Sequence, residues 1–283
     1  MHFIKMHGIA NDYIYVDRFV YDAPKDVDAA SVKVSDRHTG VGSDGLILME
    51  PSDVATVRMN MRNADGSVSK MCGNATRCIG KYMLERHPEL CKDDTVTIET
   101  LGGIKTVKGI KDETGAYILF RVDMEAPQLS AESIPVLADD PQNVPLFIGD
   151  KPTPGVCVSM GNPHVVLFTD EDPLTFEPFE KIGKPLEWHK VFPERANVEF
   201  IRPLPDGSLQ MRVWERGSGE TMACGTGACA AAVAAMLKGY VKERTVTVHL
   251  RGGDLIIEWN EEDGRVYMTG PATYVCEGEW FED

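Results

Sequence analysis

Short segments rich in β-branched and aromatic residues recur along most of the chain, and Gly, Asp, Asn or Pro residues separate them. This pattern is typical of strands that are joined by turns. We therefore predict a structure dominated by strands. The predicted strands are 13–16, 46–49, 57–61, 95–99, 117–122, 165–168, 198–201, 210–213, 245–250, 255–259 and 266–269.

Two segments have a helical pattern instead. In the first, apolar residues recur at the spacing of one helix face, at Ala75, Cys78, Ile79, Tyr82 and Met83, before the stop signal His87-Pro88. In the second, residues 228–237 are apolar on every side and are followed by Lys238-Gly239. We predict two helices with Asn74 and Thr226 as N-caps, each beginning within two residues of a Cys-Gly step.

A weak internal repeat relates the two helices and the segments around them. The repeat consists of three pairs of residues. The two cysteines that precede the helices are 152 residues apart, two asparagines that lead into strands are 151 apart, and two polar residues on Gly-rich turns are 152 apart. These pairs are Cys72 and Cys224, Asn11 and Asn162, and Asn63 and Glu215. The repeat predicts two similar α/β units related by a pseudo-twofold axis.

The predicted fold class is therefore α/β (α+β), with two pseudo-symmetric domains. Each domain is expected to be a curved, mostly antiparallel sheet wrapped around a central apolar helix, with an active site between the domains. The N-terminal half is assigned to residues 1–123, with 271–283 crossing back to it, and the C-terminal half to 124–270. A chain of 283 residues is long enough for two domains of about this size.

Charge and cysteine usage narrow the class of protein. The 29 Lys and Arg residues against 44 Asp and Glu give a net charge of −15, which disfavours nucleic-acid partners. The seven cysteines form no Cys-x-x-Cys pair, which indicates a reducing compartment and argues against a disulfide framework or a metal site. The longest apolar run, 228–237, is shorter than the ~20 residues that span a bilayer. We expect a cytoplasmic protein without a membrane partner.

The position of two cysteines indicates their chemistry. A helix N-terminus favours thiolate over thiol, so Cys72 and Cys224 are candidate reactive groups with lowered pKa values. If they face one another across a cleft, one can take the α-proton of an amino acid while the other protonates the opposite face, as a racemase or epimerase requires. No cofactor such as pyridoxal phosphate is indicated. The other five cysteines are interpreted as small buried residues: Cys78, Cys91, Cys157, Cys229 and Cys276.

Several motifs together resemble those of the diaminopimelate epimerase family. They follow the order of that family and cover nearly the whole chain. The motifs are MHGIANDY at 6–13, GSDG at 42–45, NADG at 63–66, MCGN at 71–74 with RC at 77–78, MGNPH at 160–164, NVEF at 197–200, WERG at 214–217, ETMACGTGAC at 220–229 and GPA at 270–272.

The resemblance implies a cofactor-independent enzyme that interconverts LL- and meso-diaminopimelate, commonly as a homodimer. It implies that Cys72 and Cys224 are the acid-base pair. His164 is interpreted from its position either as a core or turn histidine or as a polar group near the Cys224 side that tunes protonation. The resemblance also implies a set of substrate-binding residues, in which Arg216 would hold the distal carboxylate and Glu215 an ammonium group. That set is Asn11, Asn63, Gly73, Asn74, Asn162, Asn197, Glu215, Arg216, Gly225 and Thr226.

Three residues depart from the pattern of the family. Ala10 and Ala75 stand where glycine is more frequent, so the local turns are expected to differ slightly. Gly45 stands where some members have a glutamine that contacts the ligand, and by the repeat offset it corresponds to Asn197. That side-chain contact is therefore absent in this chain.

Other functions remain open at this point. A related two-cysteine racemase acting on histidine or proline is the nearest, although proline racemases typically have a histidine where this chain has Asn74 and lack the Glu215-Arg216 pair. A thiol redox switch would use the same cysteines but would not need Arg216 or the asparagines. A non-catalytic binding protein is disfavoured because both cysteines are present.

Overall fold

The computed structural model describes residues 1–281 of the chain. Its helices are α1 (Val27–Ser35), α2 (Gly73–Arg86), α3 (Glu180–Glu187) and α4 (Gly225–Leu237), with short 3-10 turns at Pro88–Leu90 and Pro173–Thr175. Its strands are β1 (His2–Gly8), β2 (Asn11–Asp17), β3 (Gly45–Glu50), β4 (Val57–Asn63), β5 (Thr95–Thr100), β6 (Gly103–Lys111), β7 (Tyr117–Asp123), β8 (Phe147–Ile148), β9 (Lys151–Pro152), β10 (Gly155–Ser159), β11 (Pro163–Phe168), β12 (Asn197–Pro203), β13 (Leu209–Glu215), β14 (Gly219–Glu220), β15 (Thr245–Leu250), β16 (Gly253–Trp259), β17 (Val266–Gly270) and β18 (Thr273–Glu279).

The chain divides into two compact units. The first unit contains Met1–Asp123 and the C-terminal segment that begins at Thr269, and the second unit contains Met124–Met268. In the first unit the sheet order is β18-β1-β2-β3-β4-β5-β6-β7, with β2/β3 and β4/β5 parallel and the other pairs antiparallel.

The second unit repeats this topology. Its sheet runs β10-β11-β12-β13-β15-β16-β17. The parallel pairs β11/β12 and β13/β15 correspond to β2/β3 and β4/β5 when the extra edge strand β18 of the first unit is set aside. The central helix lies between corresponding strands in both units, as α2 between β4 and β5 and as α4 between β13 and β15. The prediction of two similar α/β units is therefore confirmed.

Each central helix packs on the sheet of its own unit. α2 lies against β1, β6 and β7, and α4 lies against β10, β11 and β16. Gly80 of α2 allows a close approach, because a Cβ at that position would be 2.5 Å from Val107 Cγ1. In α4 every side chain from 227 to 235 is buried, so the apolar character that the sequence shows on all sides of this helix matches its burial.

The opposite face of each sheet is covered by a shorter helix that joins the second and third strands of the unit. Ala30 and Val34 of α1 pack with alternate residues of β2 and β3, and Leu186 of α3 packs with alternate residues of β11 and β12. Alternate residues of a strand point to opposite faces. The strand residues between them therefore point toward α2 in the first unit and toward α4 in the second unit.

All eleven predicted strands and both predicted helices are present. The sequence analysis missed the strands β1, β6, β10 and β18, several two-residue strands, and the helices α1 and α3. Helix α1 was missed because it has no clear apolar stripe, and α3 was missed because it is only eight residues long and contains Pro185. No helix within residues 1–281 is long and apolar enough to cross a membrane.

The structure also tests the interpretation of the remaining cysteines. All seven cysteines are free thiols. Cys78, Cys157 and Cys229 are buried as expected, but Cys91 is half-buried and Cys276 is exposed. The interpretation was wrong for Cys276 because it lies on β18, where most side chains face solvent.

Candidate active site

Cys72 caps helix α2 in the first unit. Its backbone is extended (φ −137°, ψ 119°), and the helix begins at the next residue, Gly73. The Cys72 thiol donates to Asn11 Oδ1 at 3.2 Å, and the Asn74 amide donates to the same oxygen at 3.3 Å. Asn11 is the first residue of β2. The structure therefore brings Asn11, Gly73 and Asn74 next to Cys72.

A carboxylate that the sequence analysis did not assign orients Asn11. Asp44 Oδ2 accepts from Asn11 Nδ2 at 2.7 Å and from the Asp12 backbone N–H at 3.1 Å. Asp12 is in turn held by Lys5 at 2.9 Å and Arg37 at 2.8 Å. Burial and the charge of Asp12 raise the pKa of Asp44. With its N–H₂ group bound by Asp44, Asn11 presents its carbonyl oxygen to Cys72.

Arg77 anchors the first turn of α2 from inside the protein. Its side chain is fully buried. Its guanidinium donates to the Pro271 carbonyl at 3.1 Å and to Asn74 Oδ1 at 2.9 Å. Because the Asn74 carbonyl oxygen is bound by Arg77, its N–H₂ group points to Asn11, and the two asparagines are fixed as a pair beside the thiol.

Asn63 lies at the end of β4, on the turn that precedes Cys72 in the sequence. Its side chain donates to Ser67 Oγ at 2.9 Å, and its carbonyl accepts from Ser31 Oγ of α1 at 2.9 Å. The Ala64 N–H of the same turn donates to the Asp44 carbonyl at 3.0 Å, so the turn is held from within, by the short helix and by Asp44.

Cys224 caps helix α4 in the second unit. Its backbone is extended (φ −121°, ψ 109°), and its sulfur accepts from the Gly227 N–H at 3.4 Å. Thr226 Oγ1 lies 3.5 Å from the same sulfur. The predicted N-caps Asn74 and Thr226 are therefore wrong. Both helices begin two residues earlier than predicted, since the extended cysteines themselves occupy the cap positions.

The expectation of a lowered thiol pKa is wrong for Cys224 in this structure. The residue is buried, and burial raises the pKa of its thiol well above its usual range. The carboxylates of Glu215 and Glu199 raise this pKa further, while the hydrogen bonds from Thr226 and Gly227 lower it. Desolvation and two negative charges outweigh the helix terminus.

A buried His-Glu pair lies in the sheet that α4 covers. His164 Nδ1 is 2.7 Å from Glu199 Oε1, and both side chains are fully buried. His164 Nε2 is 3.0 Å from Asn162 Oδ1, and Asn162 Nδ2 donates to Thr226 Oγ1 at 3.4 Å. A continuous polar chain thus leads from Glu199 to Thr226, which contacts Cys224.

Glu199 was not among the predicted site residues. The available signal was a carboxylate between Val198 and Phe200 in a strand, where its side chain had to point to the face that α4 covers. By the repeat offsets, His164 corresponds to Tyr13 (164 − 151) and Glu199 to Ile47 (199 − 152). The two units therefore differ at these positions, and the pair belongs to the Cys224 side alone.

The turn after β13 carries Glu215 and Arg216. The Glu215 carboxylate accepts from Thr221 Oγ1, and burial raises the pKa of Glu215. Asn197 Oδ1 accepts from the Arg216 backbone N–H at 3.0 Å, and its amide donates to the Pro163 carbonyl at 2.8 Å. Asn197 therefore acts on the Arg216 backbone in this structure.

Backbone geometry bears on two of the positions that depart from the family pattern, Gly45 and Ala10. Gly45 has φ +156°, and a Cβ there would be 2.1 Å from the Arg62 carbonyl oxygen, so no side chain fits. Ile9 and Ala10 form the two-residue turn between β1 and β2 with φ values of 51° and 66°. Glycine adopts this left-handed conformation with less strain than alanine.

Comparison with known proteins gives a consistent result. The family model described as diaminopimelate epimerase matches residues 3–130 and 156–275. A protein of Methanococcus maripaludis (strain C5) named diaminopimelate epimerase is 50% identical over 281 residues, which cover 99% of both chains. A protein of Acetivibrio thermocellus with the same name is 50% identical over 281 residues, which cover 99% of this chain and 98% of the relative.

Solved structures that are more distant in sequence share the fold. A phenazine biosynthesis protein of the PhzF family from Bacillus anthracis has a TM-score of 0.71 at 18% identity and covers 100% of this chain and 99% of its own. A hydroxyproline epimerase from Agrobacterium vitis has a TM-score of 0.66 at 14% identity, with 98% and 90% coverage. These likenesses confirm the predicted fold class, and the matches along the whole chain show that this protein belongs to the diaminopimelate epimerase family.

Proposed function

We propose that this protein is an isomerase that interconverts LL- and meso-diaminopimelate without a cofactor, with Cys72 and Cys224 as its two acid-base groups. One observation carries the proposal. Each of two topologically equivalent units has a free thiol at the N-cap of its central helix, at positions 152 residues apart. Membership of the family, over almost the whole chain, supports the same activity.

The reaction needs one sulfur on each face of the α-carbon. The thiolate of one cysteine removes the α-proton, and the C–H electron pair passes into the neighbouring carboxylate. The thiol of the other cysteine then donates its proton to the opposite face of the carbon. The configuration is inverted, and the two sulfurs have exchanged their protonation states, so the reverse reaction can begin from the product complex.

Helix N-termini would stabilise the charge that develops on the substrate carboxylate. The first N–H groups of a helix have no acceptor within the helix, and the helix dipole is positive at this end. Gly73 and Asn74 begin α2, and Gly225 and Thr226 begin α4. We assign to these residues the role of preorganised donors, of which each typically contributes about a hundred- to a thousand-fold in rate.

Arg216 and Glu215 would select a substrate with a second amino-acid end. The Arg216 guanidinium can bind a carboxylate with two parallel hydrogen bonds. The Glu215 carboxylate lies on the same turn and can accept from an ammonium group. The asparagines Asn11, Asn63, Asn162 and Asn197 complete the proposed binding set, in which Asn197 contributes through the Arg216 backbone N–H.

The raised pKa of Cys224 assigns a starting role to this thiol. With burial and two carboxylates disfavouring its thiolate, Cys224 begins as the proton donor. The Cys72 thiol donates to Asn11 Oδ1 in this structure, so it must release that proton before Cys72 can act as the base. His164 supports the Cys224 side through its contact with Asn162. We further propose that the enzyme works in the cytoplasm as a homodimer, in keeping with its free cysteines.

The test incubates the reduced protein with LL-diaminopimelate in deuterated water. We expect deuterium at the α-carbon together with formation of the meso isomer. Cys72→Ala and Cys224→Ala should each abolish turnover, whereas Cys78→Ala, which removes a buried thiol elsewhere in α2, should retain it. Turnover of histidine or proline in place of diaminopimelate, or full activity of either cysteine variant, would refute the proposal.

A further inference from the structure

Glu187, the last residue of α3, has an almost fully buried carboxylate that the proposed mechanism does not use. Its oxygen Oε2 accepts from Trp214 Nε1 at 2.8 Å. Its oxygen Oε1 accepts from the Gly217 backbone N–H at 3.0 Å and from Arg195 at 3.2 Å. A buried carboxylate with three donors is well satisfied, and here two of the donors flank one short segment of chain.

That segment is the turn that carries Arg216. The N–H of Arg216 donates to Asn197 Oδ1, and the N–H of the following residue, Gly217, donates to Glu187. The peptide bonds on both sides of the Arg216 Cα are therefore held by buried side chains. Because two backbone dihedrals fix the direction of a side chain, these bonds determine where the Arg216 guanidinium begins.

The packing of α3 against Trp214 supports the contact between Glu187 and the turn. Trp214 precedes the turn, and its indole lies directly on Gly183 of α3, where a Cβ would be 2.6 Å from the ring. The indole N–H reaches Glu187 one turn later in the helix. Helix α3 thus contacts the Trp214 ring at Gly183 and accepts a hydrogen bond from it at Glu187. The same Glu187 carboxylate also accepts from the turn, at the Gly217 N–H.

The first unit uses its short helix in the same way. α1 joins β2 to β3 as α3 joins β11 to β12, and Ser31 of α1 donates to the carbonyl of Asn63 on the turn after β4. Asn63 and Glu215 are the repeat pair at the ends of β4 and β13. In both units, therefore, the connecting helix holds the turn that carries proposed substrate-binding residues.

We infer that Glu187 is a positioning residue for Arg216, and that it holds the turn 215–217 in the conformation that binds the distal carboxylate of the substrate. The inference rests on the proposed function. Glu187 does not touch the reacting atoms. It acts through the Gly217 N–H and the Trp214 indole, so its loss should weaken substrate binding more than it slows proton transfer.

The test compares Glu187→Gln with Glu180→Gln, a matched change at an exposed residue of the same helix. Glutamine keeps the size of the side chain but replaces one acceptor oxygen by a donor, so it cannot accept from both Trp214 and Gly217. We expect KM for LL-diaminopimelate to rise about ten-fold in Glu187→Gln with kcat within about two-fold, as the loss of hydrogen bonds to a charged group predicts. Glu180→Gln should keep both values.

A second readout does not depend on activity. Trypsin cleaves after Arg216, and a loosened turn should be cleaved several-fold faster in Glu187→Gln than in the wild type or in Glu180→Gln, with the Arg216-Gly217 cut mapped by mass spectrometry. A lower folded fraction alone would reduce kcat and leave KM unchanged. Should Glu187→Gln fail to fold, Glu187→Asp keeps the charge but shortens the reach, and the same changes are expected.

The outcomes separate the two proposals. A wild type that does not turn over diaminopimelate refutes the proposed function. An active wild type together with a Glu187→Gln variant of unchanged KM and unchanged cleavage at Arg216 overturns the inference and leaves the proposed function standing.

Discussion

The carboxylate of Glu199 lies 2.7 Å from Nδ1 of His164, and both side chains are fully buried. A buried pair of this kind is costly to break, because the remaining partner is left without compensation in a medium of low dielectric constant. Among residues 1–281, none is a hydrogen-bond partner of the second oxygen of Glu199. His164 therefore supplies the hydrogen bond that satisfies the other oxygen, Oε1, of this carboxylate.

The first prediction concerns the stability of this pair. His164→Leu should lower the free energy of unfolding by about 3–5 kcal/mol, because it strands the Glu199 carboxylate. The double variant His164→Leu/Glu199→Leu should recover most of that loss, since it replaces both polar groups by apolar ones. Urea unfolding followed by circular dichroism measures both values. A double variant that is less stable than His164→Leu would contradict the interpretation.

The second prediction concerns the reactivity of Cys224. The Glu215 charge raises the pKa of Cys224, so Glu215→Gln should lower that pKa. At pH 8, below the raised pKa, the variant then has more thiolate, and iodoacetamide should alkylate Cys224 faster than in the wild type. Peptide mass spectrometry follows the rate site by site.

Two other cysteines serve as controls in the same samples. Burial raises the pKa of Cys78 to about 12, so this residue should stay unmodified in both proteins. Cys276 is exposed and should react equally in both. If Cys224 reacts at the same rate with and without the Glu215 charge, that charge does not control its protonation.

The third prediction concerns the turn between β1 and β2. Ala10 has φ +66°, where alanine is strained and glycine is not. Ala10→Gly should raise the free energy of unfolding by about 0.5–1 kcal/mol, after the entropy cost of glycine in the unfolded chain is included. The melting temperature reports the change.

Ala75→Gly is the matched control for Ala10→Gly. It makes the same chemical change at the other departure from the family pattern, but Ala75 lies inside α2. Glycine at this helical position should lower the free energy of unfolding by about 1 kcal/mol. Opposite signs for the two variants are the expected result, and equal signs would show that backbone conformation does not decide the effect.

The fourth prediction concerns Gly45. A Cβ at this position would be 2.1 Å from the Arg62 carbonyl oxygen, which belongs to the paired strand and has little room to move. Gly45→Ala should destabilise the protein by about 1–3 kcal/mol or more, as overpacking does. At Gly102 the nearest atom would be 3.5 Å away, so Gly102→Ala should be nearly neutral. Thermal unfolding of the two variants gives the comparison.

Much of the architecture follows from the sequence alone. Segments rich in β-branched and aromatic residues, separated by turn residues, located the strands. The apolar run 228–237 located the helix that the second sheet surrounds, because a run that is apolar on all sides reports burial in a local segment. The repeat spacing of 151 and 152 residues predicted two units of equal topology, since the same segment order folds in the same way twice. The Cys-Gly steps marked the starts of both central helices, because the start of a helix is also a feature of a local segment.

The environment of the thiols was decided by the tertiary structure. The sequence around Cys224 indicates a helix N-terminus and hence a lowered pKa. The structure adds burial and the charges of Glu215, nine residues before Cys224, and of Glu199, 25 residues before it, and all of these raise the pKa. Asp44, Glu187 and Glu199 likewise gained their roles only when segments from separate parts of the chain met. A local pattern can report which face of an element is buried, whereas the charge and hydrogen bonds that a side chain meets there depend on residues far along the chain.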